Sequence, residues 1–221
     1  MLRGIQASIR AMGVEQKRSD TIANNVANVN TDGFKRQTVT TTEFGSMLIQ
    51  NEQAQTLGPL TNGPRLGQIL TPAADGPISE TGNPFDVAIS GPGQFVYQMP
   101  DGQLGTTRSG AFHIDMTGQL VTNNGYPVLV NGLPVGGPGQ QVAISDDGQV
   151  SVDGSPMGRL DLVGGTADTK MVPKSLEHSN VDLTTEMTDL IVALRSYQIN
   201  QRALSIQDET LGKAVSDLAK V

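Results

Sequence analysis

From Leu183 onward the apolar residues keep one rhythm. Leu183, Met187, Leu190, Leu194, Tyr197, Gln201, Leu204, Asp208, Leu211, Val215 and Leu218 alternate by four and three without a slip, and only Gln201 and Asp208 depart from apolar character. Such spacing lays a single stripe along a helix. At 1.5 Å per residue, a helix from Leu183 to Leu218 is about 54 Å long. A rod of that length outruns an ordinary globular core and needs a partner along its whole extent. Asp182, just before it, is placed to accept hydrogen bonds from the amides of the first turn. A second stripe opens the chain: Leu2, Ile5, Ile9, Met12, Ala23 and Val26 follow the same alternation, with Gln16 and Ser19 as its polar members.

Glycine and proline, 26 and 12 in all, are nearly excluded from the first thirty and last forty residues, so both ends are free to be helical. Between them the pattern turns to β. Alternating runs at Asp86-Val87-Ala88-Ile89, Gln94-Phe95-Val96-Tyr97, Gln119-Leu120-Val121-Thr122 and Gln149-Val150-Ser151-Val152 are separated by Pro100-Asp101-Gly102, Asn123-Asn124-Gly125, Asp146-Asp147-Gly148 and Asp153-Gly154. Asn-Gly and Asp-Gly pairs tolerate the positive φ of tight hairpins. The strand spacing predicts a mainly antiparallel domain, a small barrel or sandwich. From Asn51 to Asn83 the chain is polar and punctuated by Gly58-Pro59, Gly63-Pro64 and Gly76-Pro77, an extended arm with one or two edge strands. The expected class is α+β: an N-terminal helix over residues 1–36, an arm over 37–83, a β-rich domain over 84–174, and a long C-terminal helix within 175–221. The two helices are expected to form a coiled-coil-like core.

A formal charge of −7 and a charged fraction of 17% argue against a general nucleic-acid binder, which needs clustered Lys and Arg. With no cysteine the chain has neither disulfide, thiolate metal site nor thiol nucleophile. Arg10, Glu15, Lys17 and Arg18 interrupt the opening segment, which lacks the apolar core of a secretory signal, and no stretch reaches the roughly 20 apolar residues of a membrane span. Up to Arg36 there are six basic and three acidic residues, whereas from Glu177 onward there are four basic and seven acidic. Opposite net charges favour pairing, between the two ends or between neighbouring molecules; two solvated faces are the alternative.

His113 and His178 are the only histidines, and no metalloprotease, nucleophile-elbow or P-loop spacing occurs. The acidic pairs Asp146-Asp147 and Asp208-Glu209 sit in a turn and on a helix rather than opposed across a cleft. No catalytic, cofactor or metal residues are expected. A monomeric β-barrel binding module and a peptidoglycan-acting enzyme remain as rival readings.

The run from Ile22 to Arg36, Ile-Ala-Asn-Asn-Val-Ala-Asn-Val-Asn-Thr-Asp-Gly-Phe-Lys-Arg, resembles the N-terminal motif of the flagellar rod and hook family. Leu176-Glu177-His178-Ser179-Asn180-Val181-Asp182-Leu183, with Glu186 to Ile191 and Arg195 to Gln198, is similar to that family's C-terminal motif. Phe85 to Gly91, Thr107 to Phe112 and Asp115 to Thr122 add matches in the middle. The resemblance implies a structural subunit of the basal-body rod, without a cofactor, whose ends pair as a coiled coil lining a helical tube while the β domain lies outside. It implies as partners copies of itself, other rod proteins, the hook protein and the flagellar type III export apparatus, and implies neither nucleic acid nor membrane insertion.

On this reading the assembly interface comprises Ile5, Ile9, Met12, Asn24, Asn25, Asn28, Asn30, Gly33, Phe34, Asn180, Leu183, Met187, Leu190, Ile191, Leu194, Tyr197, Leu204 and Leu211. Asn24 and Asn28, four apart, share a helix face and can bond a neighbour's backbone, with Asn25 pointing elsewhere. Equally, Asn30, Thr31, Asp32 and Gly33 are good helix-stop residues. Gly33 is expected at positive φ, with Phe34 anchoring the strand that leaves it. Truncating the ends is expected to abolish assembly and leave the β domain folded.

Overall fold

The computed structural model describes residues 2–43, 47–50, 56–60, 63–72, 74–145, 148–166 and 169–218. Asp146 and Asp147 of the expected hairpin turn lie outside the described residues, as do the side chains of Leu2 and Leu218. The chain is α+β and divides into two compact units.

The first unit joins Met1–Ala27, Gln37–Pro72 and Asp182–Val221. It holds α1 (Leu2–Ala27), β1 (Thr38–Glu43), β2 (Met47–Gln50), β3 (Thr56–Leu60), β4 (Pro64–Leu70) and α2 (Leu183–Leu218). The Asp182 carboxylate accepts from the Thr184 amide at 3.0 Å and the Thr185 hydroxyl at 2.6 Å, the cap that its position predicts. Those two bonds, the Thr185 hydroxyl first, hold its carboxyl below the ordinary carboxylate value. Asn25 Nδ2 reaches Glu186 Oε2 at 3.0 Å, Arg18 approaches Asp189 to 3.9 Å, and Gly4 lies against the Gln207 carboxamide, so α1 and α2 run antiparallel.

Along α2 the less exposed positions are a row of Glu186, Leu190, Ala193, Tyr197, Asn200, Leu204, Gln207 and Leu211, flanked by Asp189, Ser196 and Ala203. This row keeps the four-three alternation in a frame that shares only half its members with the stripe expected from sequence. It mixes large apolar with small and polar groups, and Gln207 Oε1, like Glu15 Oε2 on α1, is buried without a hydrogen-bond partner. β1 and β4 pair antiparallel with a register slip between Val39 and Thr41. The Thr40 hydroxyl fills the gap, accepting from Gln68 N at 2.9 Å and donating to Gln68 O at 2.8 Å.

The second unit joins Asn28–Arg36 with Ala73–Val181. Its strands are β5 (Ile78–Glu80), β6 (Val87–Ser90), β7 (Gln94–Gln98), β8 (Leu104–Thr107), β9 (Phe112–Ile114), β10 (Leu120–Thr122), β11 (Leu129–Val130), β12 (Leu133–Pro134), β13 (Val142–Ile144), β14 (Gln149–Val152), β15 (Ser155–Arg159), β16 (Leu162–Val163), β17 (Lys170–Pro173) and β18 (Ser175–Glu177). The expected mainly antiparallel pairing is present as small ladders: β16-β7-β8, β13-β14-β15, β17-β6, β18-β5, β9-β10 and β11-β12, all antiparallel. Among the described residues no barrel closes. Strands of two to five residues are reversed by tight turns before a ladder grows long enough to curl shut; Asp153 and Gly154, at φ 51° and 77°, form one such turn.

Single bridges such as Tyr97↔Val128 and Val130↔Leu160 knit the ladders over one core. That core contains Val87, Ile89, Phe95, Phe112, Leu120, Val128, Val130, Val135, Ile144, Val150, Val152 and Leu160, with Phe95 and Phe112 edge to face at 5.1 Å. Of the expected helical core, the chain itself supplies one antiparallel helix pair.

Candidate functional site

Two polar clusters, one in each unit, gather residues from both motif regions. In the first unit Asn25 is 1% exposed. Its carboxamide pairs with the Gln37 backbone like a neighbouring peptide, donating to Gln37 O at 2.8 Å and accepting from Gln37 N at 2.9 Å. The same Nδ2 donates to Glu186, whose side chain is fully buried. One amide thus fixes the end of α1, the start of α2 and the entry to β1.

In the second unit the Glu177 carboxylate, with 1% of its side chain exposed, lies between two cations. Oε1 accepts from Lys35 Nζ at 2.5 Å and from Gly76 N at 2.8 Å, while Oε2 accepts from Arg108 Nε at 2.6 Å. Arg108 also donates to Asp75 at 3.1 Å, Ile89 O at 2.9 Å and Gly93 O at 2.7 Å. Two cations face two carboxylates, which is the compensation that buried charge requires. Burial pushes the Asp75 carboxyl up, but the Gly91 amide together with Lys35 and Arg108 outweighs it and holds the group below its ordinary value.

Around this cluster the 28–36 segment is tied to residues 74–81 and 175–181. Gly33 has φ 72°, its amide donates to Glu177 O at 2.7 Å, and a Cβ there would come within 2.5 Å of Ser109 N. Glycine is required at this position both for its conformation and for lack of room. Asn180 accepts from Arg36 N at 2.7 Å and donates to Ala74 O at 2.9 Å. His178 joins Asp32 through Nδ1 at 2.9 Å and Ser79 Oγ through Nε2 at 2.6 Å.

That last chain has the order of a serine nucleophile, its base and an orienting carboxylate. Yet the His178 side chain is 49% exposed. What the chain of bonds accomplishes here is to pin the turn at Asp32 to the β5–β18 ribbon. Of the acidic pairs weighed from sequence, Glu209 pairs with Lys213 at 2.7 Å on exposed α2.

The interface residues expected from sequence fall into two groups. Asn25 and Asn180 have the in-chain partners just described, and Gly33 is buried. Ile5, Met12, Asn28, Phe34, Leu190, Tyr197, Leu204 and Leu211 are half-buried. Asn24 and Asn30 are exposed, as are Ile9, Leu183, Met187, Ile191 and Leu194. Met187, Ile191 and Leu194, at 51%, 52% and 47% exposure, form a bare apolar row beside the one that meets α1. Glu177, Lys35 and Arg108 were each inside a motif run but had no assigned role; Asp75 lay outside all of them.

Polar residues spent on joining distant stretches of one chain, together with a helix whose apolar side stays bare, define a structural class. Three family models match: the flagella basal body rod protein over residues 5–35, the flagellar hook protein FlgE/F/G D1 domain over 88–152, and the flagellar basal body rod FlgEFG protein C-terminal region over 172–217. The flagellar basal-body rod protein FlgG of Bacillus subtilis (strain 168) is 36% identical over 262 residues, covering 98% of this chain and 99% of that protein. FlgG of Borreliella burgdorferi is 31% identical over 262 residues, covering 97% and 98%. The hook-basal body complex protein FlhP of B. subtilis is 28% identical over 263 residues, covering 96% and 98%. The chain belongs to the flagellar basal-body rod protein family, and its place is the flagellar basal body. Its alignments with these relatives are longer than its own 221 residues, so the relatives carry segments that this chain lacks.

Arg108→Leu is expected to lower unfolding free energy by about 3–5 kcal/mol, because it leaves a buried carboxylate with one cation fewer; denaturant titration measures this. Asn25→Ala, which leaves Glu186 and the Gln37 peptide short of partners, should cost about 2–3 kcal/mol. Since the folded-state Asp75 value is depressed, its contribution is complete above the ordinary carboxylate range and fades as pH falls through the folded-state value. The stability gap between wild type and Asp75→Asn should therefore hold above the ordinary carboxylate value and shrink as pH falls below it; a gap that stays constant into acid would contradict the assignment.

Proposed function

We propose that the protein is a structural subunit of the rod that stacks helically on copies of itself and on other rod proteins through α1 and α2. Such a stack forms the drive shaft between motor and hook and the wall of the channel through which further subunits pass. Contacts between unlike faces propagate without closing, which is how one subunit builds an open helical tube. The hook protein at the far end and the type III export apparatus at the near end complete the set of partners.

The observation that carries this reading is the bare row Leu183, Met187, Ile191 and Leu194 on α2. An exposed apolar strip on a long helix is a contact surface awaiting cover. Names of relatives from the rod and the hook-basal body complex support the same reading. A monomeric β binding module gives this row nothing to do.

Leu194→Asp changes an exposed side chain, so the melting curve of the purified protein should match wild type within about 0.5 kcal/mol. In cells the same variant should lose rods and motility, because assembly would bury an unpaired charge at a cost of several kcal/mol. Electron microscopy of basal bodies with swimming assays checks this; normal rods would remove the row from the interface.

A further inference from the structure

Two tight turns of the second unit border a cavity of about 310 Å³. One joins β7 to β8, with Met99 N donating to Gln103 O at 2.8 Å and Gly102 N to Met99 O at 2.9 Å. The other follows β10, with Thr122 N donating to Tyr126 O at 2.9 Å and Gly125 N to Thr122 O at 2.8 Å. Gln98 N donates to Pro127 O at 2.9 Å and Tyr97 bridges Val128, so the two walls are fastened to each other. Gly102 and Gly125, at φ 81° and 78°, both line the cavity, and neither turn fills it with a side chain there.

Tyr126 borders this space as a ring already held in place. Tyr97 stacks on it, with centroids 5.4 Å apart and planes 7° from parallel, and Tyr97 in turn lies over Gly105, where a Cβ would collide with its ring. A ring fixed before any ligand arrives loses little freedom on binding. Met99, Pro100 and Pro127 add apolar surface. Among the described residues no charged side chain lines the cavity; Asp101, beside it in sequence, turns its carboxylate to the Gln103 amide at 3.1 Å. Gln98 is half-buried, and its carboxamide has no hydrogen-bond partner among the described residues.

An uncharged lining offers no complement to an anion or a cation. A polyproline segment needs a groove lined by several aromatic rings, and here the second tyrosine is folded against the first. A sugar ring fits both features: its C–H face suits the negative face of an aromatic ring, and its hydroxyls donate and accept, as a carboxamide does. We propose that this cavity binds a neutral glycan, with one sugar ring against Tyr126 and its hydroxyls toward the Gln98 carboxamide. The site lies wholly in the second unit and does not depend on how α1 and α2 pack.

Titration of the isotope-labelled full-length protein with chitotetraose should move the Gly102 and Gly125 amide resonances saturably, with a dissociation constant of about 1 mM. Tyr126→Ala should weaken binding about tenfold and Tyr126→Phe should stay within about twofold of wild type, because the ring and not its hydroxyl makes the contact. Gln98→Ala, which removes no in-chain side-chain hydrogen bond, should keep the wild-type melting curve and weaken binding about fivefold. If Tyr126→Ala does not fold, Gln98→Ala carries the test. Maltotetraose, α-linked and without acetamido groups, separates the kinds of glycan in a parallel titration; saturable binding of either sugar at these amides supports the site. No movement with either sugar up to about 20 mM, well above the expected constant, overturns it. Wild-type affinity in folded Gln98→Ala and Tyr126→Ala protein does the same, as does a proline decapeptide that moves these amides when neither sugar does.

Discussion

A carboxylate cannot be stripped of water inside a protein unless the fold brings it opposite charge, and Glu177 is so stripped. Its cations come from two distant stretches of the sequence: Lys35 lies 142 residues before it and Arg108 lies 69 before it. Until both are in place the second unit contains an uncompensated charge. The β core and the 28–36 segment are therefore one cooperative structure, and the unit cannot be excised at residue 37 without losing Lys35. That requirement changes the meaning of an N-terminal truncation: the cut removes part of the β-rich unit along with the helix.

The Asn25 cluster repeats the logic in the first unit with an amide in place of a charge pair. Asn25 completes the Gln37 peptide and the Glu186 carboxylate together, so the end of α1 and the start of α2 are set by one side chain. Away from this tie the inner row of α2 mixes Leu190, Tyr197, Leu204 and Leu211 with small and polar groups, while Met187, Ile191 and Leu194 are exposed.

Much of this was legible in the residues. The four-three rhythm specified α2 and its Asp182 cap, and the alternating runs with Asn-Gly and Asp-Gly turns specified β6, β7, β10 and β14. The rhythm could not specify which row of α2 meets α1, because two rows share Leu190, Tyr197, Leu204 and Leu211. Closure of a barrel was beyond reach for a different reason: pairing of two- to five-residue strands depends on turn geometry and isolated bridges, neither of which leaves a period in the sequence. The Asn and Gly residues of the motif regions pointed to a fixed geometry without saying whether a neighbour or the chain itself supplied the partner. Asn25, Gly33 and Asn180 are engaged in-chain. Asp75 had no local signal at all, since its carboxylate matters only once Lys35 and Arg108 are beside it.

Non-ladder hydrogen bonds fasten the motif regions within the chain as firmly as the β core is fastened. Native-state hydrogen exchange on the full-length protein reads this directly at the Gly33, Arg36, Gln37 and Gly76 amides, whose acceptors are Glu177 O, Asn180 Oδ1, Asn25 Oδ1 and Glu177 Oε1. Protection of Gly33, Arg36 and Gly76 should equal that of core amides such as Leu120 and Val128, with clear protection at Gln37. Exchange of all four at the rate of an exposed loop, with the core still protected, would contradict it.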